Sequence, residues 1–411
     1  MKLFAIIPVI AATLFGCTSC KKAEVNTTQD NPYKRLELTT KSEEYAANGN
    51  DFAFNMIDKV NYASKGNFII SPLSMQFLLG MILDGAQGQT ADEICSVLGY
   101  GEGEVSAVNE YCQSMLQQLP GLDKKTKLSI ANAIIVNQKY PLLDSYKTTV
   151  GKYYRAEVDN MDFNDNAGTT RKINSWCSEN TNGLITEIIK EVDPQMLAYL
   201  LNALYFKGEW YQKFPKANTS NESFTTEDGK KTKVAMMKTE KSYHYQENDI
   251  LRAVRLLYGN GAYYMTVILP VESRTIADVT DYLNGKTWDA FVMSMVSCDV
   301  DLWLPKFETK FHIELNEILS AMGMPSAFSR VNADFKAMSK SAMCLSFVQQ
   351  DAIIKLDEEG TEAAAVSSAG METTSVAPGK HIVFHADHPF LYLICESSTG
   401  AILFAGKYSG K

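Results

Sequence analysis

Residues 359–380 read Glu-Gly-Thr-Glu-Ala-Ala-Ala-Val-Ser-Ser-Ala-Gly-Met-Glu-Thr-Thr-Ser-Val-Ala-Pro-Gly-Lys. The stretch has no aromatic residue and few bulky ones, yet strand-like runs flank it at 345–356 and 382–385. A structureless loop of about twenty residues inside a compact domain is uncommon and is usually functional. Composition alone would also suit a solvated surface linker. Side-chain parity argues against that. In a β-strand successive side chains point to opposite faces. One face would carry Thr361, Ala363, Ala365, Ser367, Ala369 and Met371; the other Glu362, Ala364, Val366, Ser368, Gly370 and Glu372. Both charges fall on one face, and the other is uncharged along its length. Such a pattern fits a segment able to slide between existing strands over a packed core.

Upstream of this segment the chain first reads as helices. A helical pattern starts near Ser42, with Phe52, Phe54, Met56, Ile57 and Val60 on its apolar side. Ser71 can cap a second helix that opens on Pro72, and Leu73, Phe77, Leu78, Met81 and Ile82 make it apolar nearly all round, as in a buried helix. Thr90 and Glu93 have capping-box spacing for a short helix ending near Gly99, and another helix is expected over 169–182. Strand-like runs follow at 128–137, 200–206, 263–269, 300–304, 345–356 and 382–385. A closing hairpin is expected over 390–395 and 401–405. Helices first and strands later favour an α+β fold over an alternating parallel sheet.

The N-terminus reads as a targeting segment. Lys2 precedes an apolar run over 3–15, too short to span a bilayer, which ends in Leu14-Phe15-Gly16-Cys17. A small residue before a cysteine resembles a bacterial lipoprotein cleavage box. Residues 1–16 then form the signal peptide, Cys17 carries the lipid, and polar residues 17–41 form a flexible tether. The plainer reading is a secretory signal with an incidental cysteine. Either way the protein is expected to be exported. With the lipid it is an outer-membrane, cell-surface or periplasmic lipoprotein, or one released to the extracellular space. A net charge of −9 and the lack of a basic cluster argue against nucleic acid as partner. Seven cysteines follow Cys17, an odd number with no metal-binding spacing, and Cys95, Cys298, Cys344 and Cys395 sit in apolar stretches, so buried free thiols are expected.

Glu359-Gly360-Thr361-Glu362-Ala363-Ala364-Ala365 resembles the hinge of the serpins, the serine protease inhibitor family. Other stretches agree, in the order that family shows: residues 67–74 (Asn-Phe-Ile-Ile-Ser-Pro-Leu-Ser), 202–210 (Asn-Ala-Leu-Tyr-Phe-Lys-Gly-Glu-Trp), 304–307, 333–335 and 386–390. The match spans about 42–408, so residues 42–411 are taken as one serpin domain. The resemblance implies about nine helices, three β-sheets and an exposed reactive-centre loop over about 360–380. It also implies suicide inhibition. A protease attacks the loop, its nucleophile forms an acyl-enzyme, and the cleaved loop inserts into the central sheet. At about 3.3 Å per residue, about fourteen inserted residues would drag the protease roughly 45 Å.

Site residues are carried over singly. Gly360 and Thr361 match the start of insertion, and Ala363, Ala364 and Ala365 the small residues after it. Ser71, Ser74 and Asn202 match polar positions under the sheet where strands part, and Trp210 matches the tryptophan at its top. Gln350 stands where the family usually has histidine. The hinge count places the reactive bond at Thr374-Ser375, within a window of Met371, Glu372, Thr373 and Val376; counting back from Pro389-Phe390 places it near Pro378. No Arg or Lys lies in the window, which points to elastase-like, subtilisin-like or papain-like proteases rather than trypsin-like ones. The expected partner is thus a protease, bound covalently by a monomer, with no cofactor or metal. The alternative is a non-inhibitory serpin with a binding, storage or chaperone role. An enzyme is disfavoured: Gly285-Lys286-Thr287 lacks the glycine run of a phosphate loop, and no nucleophile elbow or zinc motif is present. His381 and His385 share strand parity, but His388 lies beyond a turn, so a metal site there is not expected.

Overall fold

The computed structural model describes residues 30–346, 348–361 and 381–410. In chain order the helices are α1 (Thr40–Ala63), α2 (Pro72–Gly85), α3 (Gly88–Leu98), α4 (Val105–Gln118), α5 (Asp144–Tyr154), α6 (Asn166–Asn180), α7 (Ile276–Tyr282), α8 (Gly285–Met293) and α9 (Asn316–Met322). The strands are β1 (Phe68–Ile70), β2 (Thr126–Asn137), β3 (Glu157–Met161), β4 (Ala198–Glu209), β5 (Ser220–Thr225), β6 (Lys231–Glu247), β7 (Leu251–Tyr258), β8 (Tyr263–Pro270), β9 (Val296–Pro305), β10 (Phe307–Glu314), β11 (Gln349–Asp357), β12 (Gly360–Thr361), β13 (His381–His385), β14 (Phe390–Glu396) and β15 (Ile402–Tyr408).

The nine described helices match the expected number. Among the described residues the strands join into two hydrogen-bonded sheets rather than three. The reason is β6, a 17-residue strand that pairs with three others. Its start pairs with β5, its middle with β9 and its end with β7, so the nine-stranded sheet is continuous. The second sheet has the order β10-β11-β12-β4-β2-β3.

Parity along β2 and β4 sets the layers. Leu128, Ile134 and Val136 of β2 and Phe206 of β4 point into the main core, against α1, α2 and the larger sheet. Ala133, Ile135, Tyr199, Leu201 and Ala203 point the other way, into a smaller core under α6 with Phe163, Ile173 and Trp176. A strand covered on both faces reads as a near-continuous apolar run, as these two do. Helix α2 is buried as expected: Ser71 accepts a hydrogen bond from the Ser74 amide and Pro72 occupies the first turn. The described cysteines are free thiols, and of these only Cys344 is not fully buried.

Two local expectations fail. Thr90 does not cap α3, which begins at Gly88; its buried hydroxyl accepts from the Asp334 amide, a tertiary bond that outcompetes the local one. Nor do residues 30–39 form a free tether. Asn31 is buried and donates to Asp123 Oδ1 at 2.7 Å, and the Leu36 amide donates to Ser398 Oγ at 3.0 Å.

Candidate functional site

Two strands of the six-stranded sheet define the site. β4 and β11 are linked through the two residues of β12: Gly360 and Thr361 pair with Glu209 and Gly208 on one side and with Asp357 and Leu356 on the other. Below that point no described strand joins β4 to β11. A cavity of about 490 Å³ lies there, lined by 197–204 of β4 and its approach, 348–352 of β11 and its approach, Ser71 at the cap of α2, and Ser74, Met75 and Leu78 of α2.

The floor of this cleft is polar where its surroundings are apolar. Asn202 shares the inward parity of Leu200 and Leu204, and Gln350 that of Ala352 and Ile354. Such groups must be hydrogen-bonded to be tolerated under a sheet. Ser74 donates to Asn202 Oδ1; Asn202 donates to Asn132 Oδ1 at 2.7 Å; Asn132 donates to the Tyr154 carbonyl at 2.8 Å. On the other strand, Gln350 accepts from the Ser71 amide at 2.8 Å and donates to the Ser71 carbonyl at 2.9 Å. The Ser71 hydroxyl donates to Leu403 O at 2.7 Å. The start of α2 thus holds both strands through separate polar contacts. Glutamine performs both donor and acceptor roles here.

The top of the cleft is built from β4 and the residues just before β12. Trp210 donates from its amide to Glu359 O at 2.8 Å and from Nε1 to Asp357 O at 2.9 Å. The Glu359 carboxylate meets Lys213 at 2.7 Å and Lys216 at 3.1 Å, and the Lys213 ammonium, helped by Lys216, holds that carboxyl below its usual range against the effect of burial. Buried Glu358 accepts from Lys306 at 3.0 Å and Thr219 at 2.9 Å. Thr361 is buried, its hydroxyl 2.6 Å from that of Tyr258.

Glu359, Gly360, Thr361, Ser71, Ser74, Asn202, Trp210 and Gln350 therefore converge on one cleft. Glu362, Ala363, Ala364 and Ala365 of the hinge lie outside the described residues. So do the reactive-bond candidates Thr374 and Ser375, the window residues Met371, Glu372, Thr373 and Val376, and Cys17.

The family model for Serpin (serine protease inhibitor) matches residues 47–410. The chain belongs to the serpin family. Serpin B6 of Macaca fascicularis is 33% identical over 374 residues, covering 88% of this chain and 98% of that protein. Iripin-8 of Ixodes ricinus is 31% identical over 381 residues, covering 90% and 94%. Among solved structures, the thermophilic serpin tengpin in its native state aligns with a TM-score of 0.82 at 28% identity, covering 93% of this chain and 97% of that one. Thyroxine-binding globulin in complex with thyroxine aligns with a TM-score of 0.79 at 27% identity, covering 89% and 98%. Serpins are in general protease inhibitors, not enzymes.

Two residues of this serpin site were not marked by the sequence motifs. Asn132 carried a usable signal, a polar side chain on the inward parity of Leu128, Ile130, Ile134 and Val136. Tyr258 carried none, because nothing in an apolar strand marks its last residue as a partner of Thr361, 103 positions away. The three histidines near β13 do not converge: His381 meets Glu240 at 3.7 Å, His385 meets Asp301 at 3.0 Å and His388 meets Asp387 at 2.8 Å. Gly285-Lys286-Thr287 is the capped first turn of α8, its Gly285 amide donating to Asp51 Oδ1 at 2.7 Å.

Proposed function

We propose that this serpin is an irreversible suicide inhibitor of proteases that traps an acyl-enzyme by inserting its cleaved loop between β4 and β11. The observation that carries the reading is the placement of Gly360 and Thr361, already in register between the two strands at the head of the cleft. Thr361 points into the core. A strand continued in that register would turn Ala363, Ala365, Ser367, Ala369 and Met371 inward and leave Glu362 and Glu372 in solvent. The fold alone does not carry this, since thyroxine-binding globulin shares it. Small, uncharged inward residues remove the steric and desolvation barriers to rapid insertion.

The reactive bond is Thr374-Ser375. The targets are elastase-like or subtilisin-like serine proteases, or papain-like cysteine proteases, because the window offers small and aliphatic side chains and no cation. The protein acts as a monomer. It is exported and held at a membrane by a lipid on Cys17, a reading supported by the apolar run and the Gly16-Cys17 step. Cys17→Ser should then abolish labelling by a radioactive fatty acid.

The decisive experiment mixes the protein with pancreatic elastase and looks for a complex stable in detergent, with mass spectrometry locating the cut. Thr361→Arg would place a cation in a buried site and should turn the inhibitor into a substrate. If the Thr361→Arg variant still traps protease, the insertion mechanism is overturned. A native protein that is cut without complex formation would favour a non-inhibitory role.

A further inference from the structure

Insertion of a strand is a zippering process, and its costly part is the beginning. The first residues must be ordered before the pairs that reward them exist. The contact that holds Thr361 is therefore as important as the residues beyond it. Among the described residues, neither β4 nor β11 supplies a side chain to its hydroxyl. The partner comes from the other sheet: Tyr258, the last residue of β7, meets Thr361 Oγ1 at 2.6 Å.

Tyr258 is built into this position. The end of β4 crosses onto the end of β7, with the Tyr211 amide donating to Leu257 O at 2.8 Å and the Gly259 amide donating to Glu209 O at 2.9 Å. The fully buried ring stacks on Trp210, centroids 4.5 Å apart at 12°, and meets the edge of Phe206 at 5.1 Å. A Cβ on Gly208 would stand 2.9 Å from Tyr258 Cδ1, so glycine leaves the ring its place. A phenol fixed on all sides holds the Thr361 hydroxyl without needing to be ordered itself. Burial also drives its titration well above the usual phenol range, so the group stays neutral and protonated at physiological pH.

We infer that Tyr258 is the positioning residue for loop insertion, its hydroxyl fixing Thr361 as the first pair from which the new strand grows. This rests on the inhibitory reading. The bond is already present before cleavage, and it serves as a nucleus for the remaining residues. Removing the phenol oxygen leaves the Thr361 hydroxyl in a buried site without that partner, and the first pair frays.

The test follows insertion in the full-length protein after the loop is cut, by the rise in melting temperature of samples quenched at intervals, alongside the stoichiometry of inhibition. Tyr258→Phe should slow insertion about five- to tenfold, the effect of one neutral hydrogen bond, and raise the number of inhibitor molecules consumed per protease trapped. Thr361→Val should do the same, Thr361→Ser should retain the native rate, and the double variant should be no slower than either single one. Packing loss alone would lower the melting temperature of the uncut protein without this non-additivity. Equal insertion rates in Tyr258→Phe and native protein, or additive effects in the double variant, would overturn the role of Tyr258 and leave the inhibitory reading standing. A native protein that never inserts its cut loop would overturn both.

Discussion

A Cβ at Gly360 would sit 2.0 Å from the Gly208 carbonyl oxygen, and its φ is +153°, a region that side chains avoid. Gly360→Ala should therefore expel the hinge from between the strands, with loss of amide protection at 360 and 361 in hydrogen exchange and slower insertion, by about tenfold. A second residue shapes the response to pH. Asp84 on α2 accepts from Asn109 at 2.7 Å through Oδ1, while its Oδ2 is shut off from solvent with no hydrogen-bond partner among the described residues. Burial, only partly offset by Asn109, pushes its carboxyl up from 3.8 to about 6. Because the folded value is the higher one, the stability tied to this group is fully present below the ordinary carboxylate range. It is lost as pH rises through 6, by about 3 kcal/mol at neutral pH. The urea midpoint should fall between pH 4 and 7 in the native protein, and the fall should be reduced in Asp84→Asn, which mimics the neutral acid. An equal fall in both would remove Asp84 as the cause.

Elements differ in how strongly local sequence dictates them. Helix α2 was legible because cap, proline and apolar run agree; α3 was displaced at its start because Thr90 is used by Asp334. Strand β13 carries the C-terminal end of the loop and depends on its neighbour. It is an edge strand paired in parallel with β9 alone among the described strands. His385 stacks on Trp303 at 3.9 Å while meeting Asp301, and Arg252 donates to Val383 O at 3.3 Å. Parallel edge pairing is comparatively weak, so these side chains carry much of the attachment. His385→Ala should raise amide exchange over 381–385 about tenfold, with α2 and β14 unaffected. Unchanged exchange would mean that the ladder alone holds the strand.

At the scale of the molecule, no strand among the described residues joins β4 to β11 below Thr361, and the proposed inhibitory reading requires that the uncut protein persist by rates rather than by equilibrium. Cutting the loop should raise the melting temperature by on the order of 10 °C or more, as a whole strand is added; differential scanning calorimetry of nicked and intact protein measures it. The sequence by itself determined the α+β class, the buried second helix, the apolar strands and a segment whose alternation suits a strand not yet made, because burial and strand parity are written in local order. Only the tertiary structure decided that β6 joins β5, β7 and β9 into one sheet, that residues 30–39 dock on the body, that Gln350 and Asn202 hold the two strands through α2, and that Tyr258 meets Thr361. Those are contacts between residues far apart in the chain, and no local pattern specifies which buried polar group will face which.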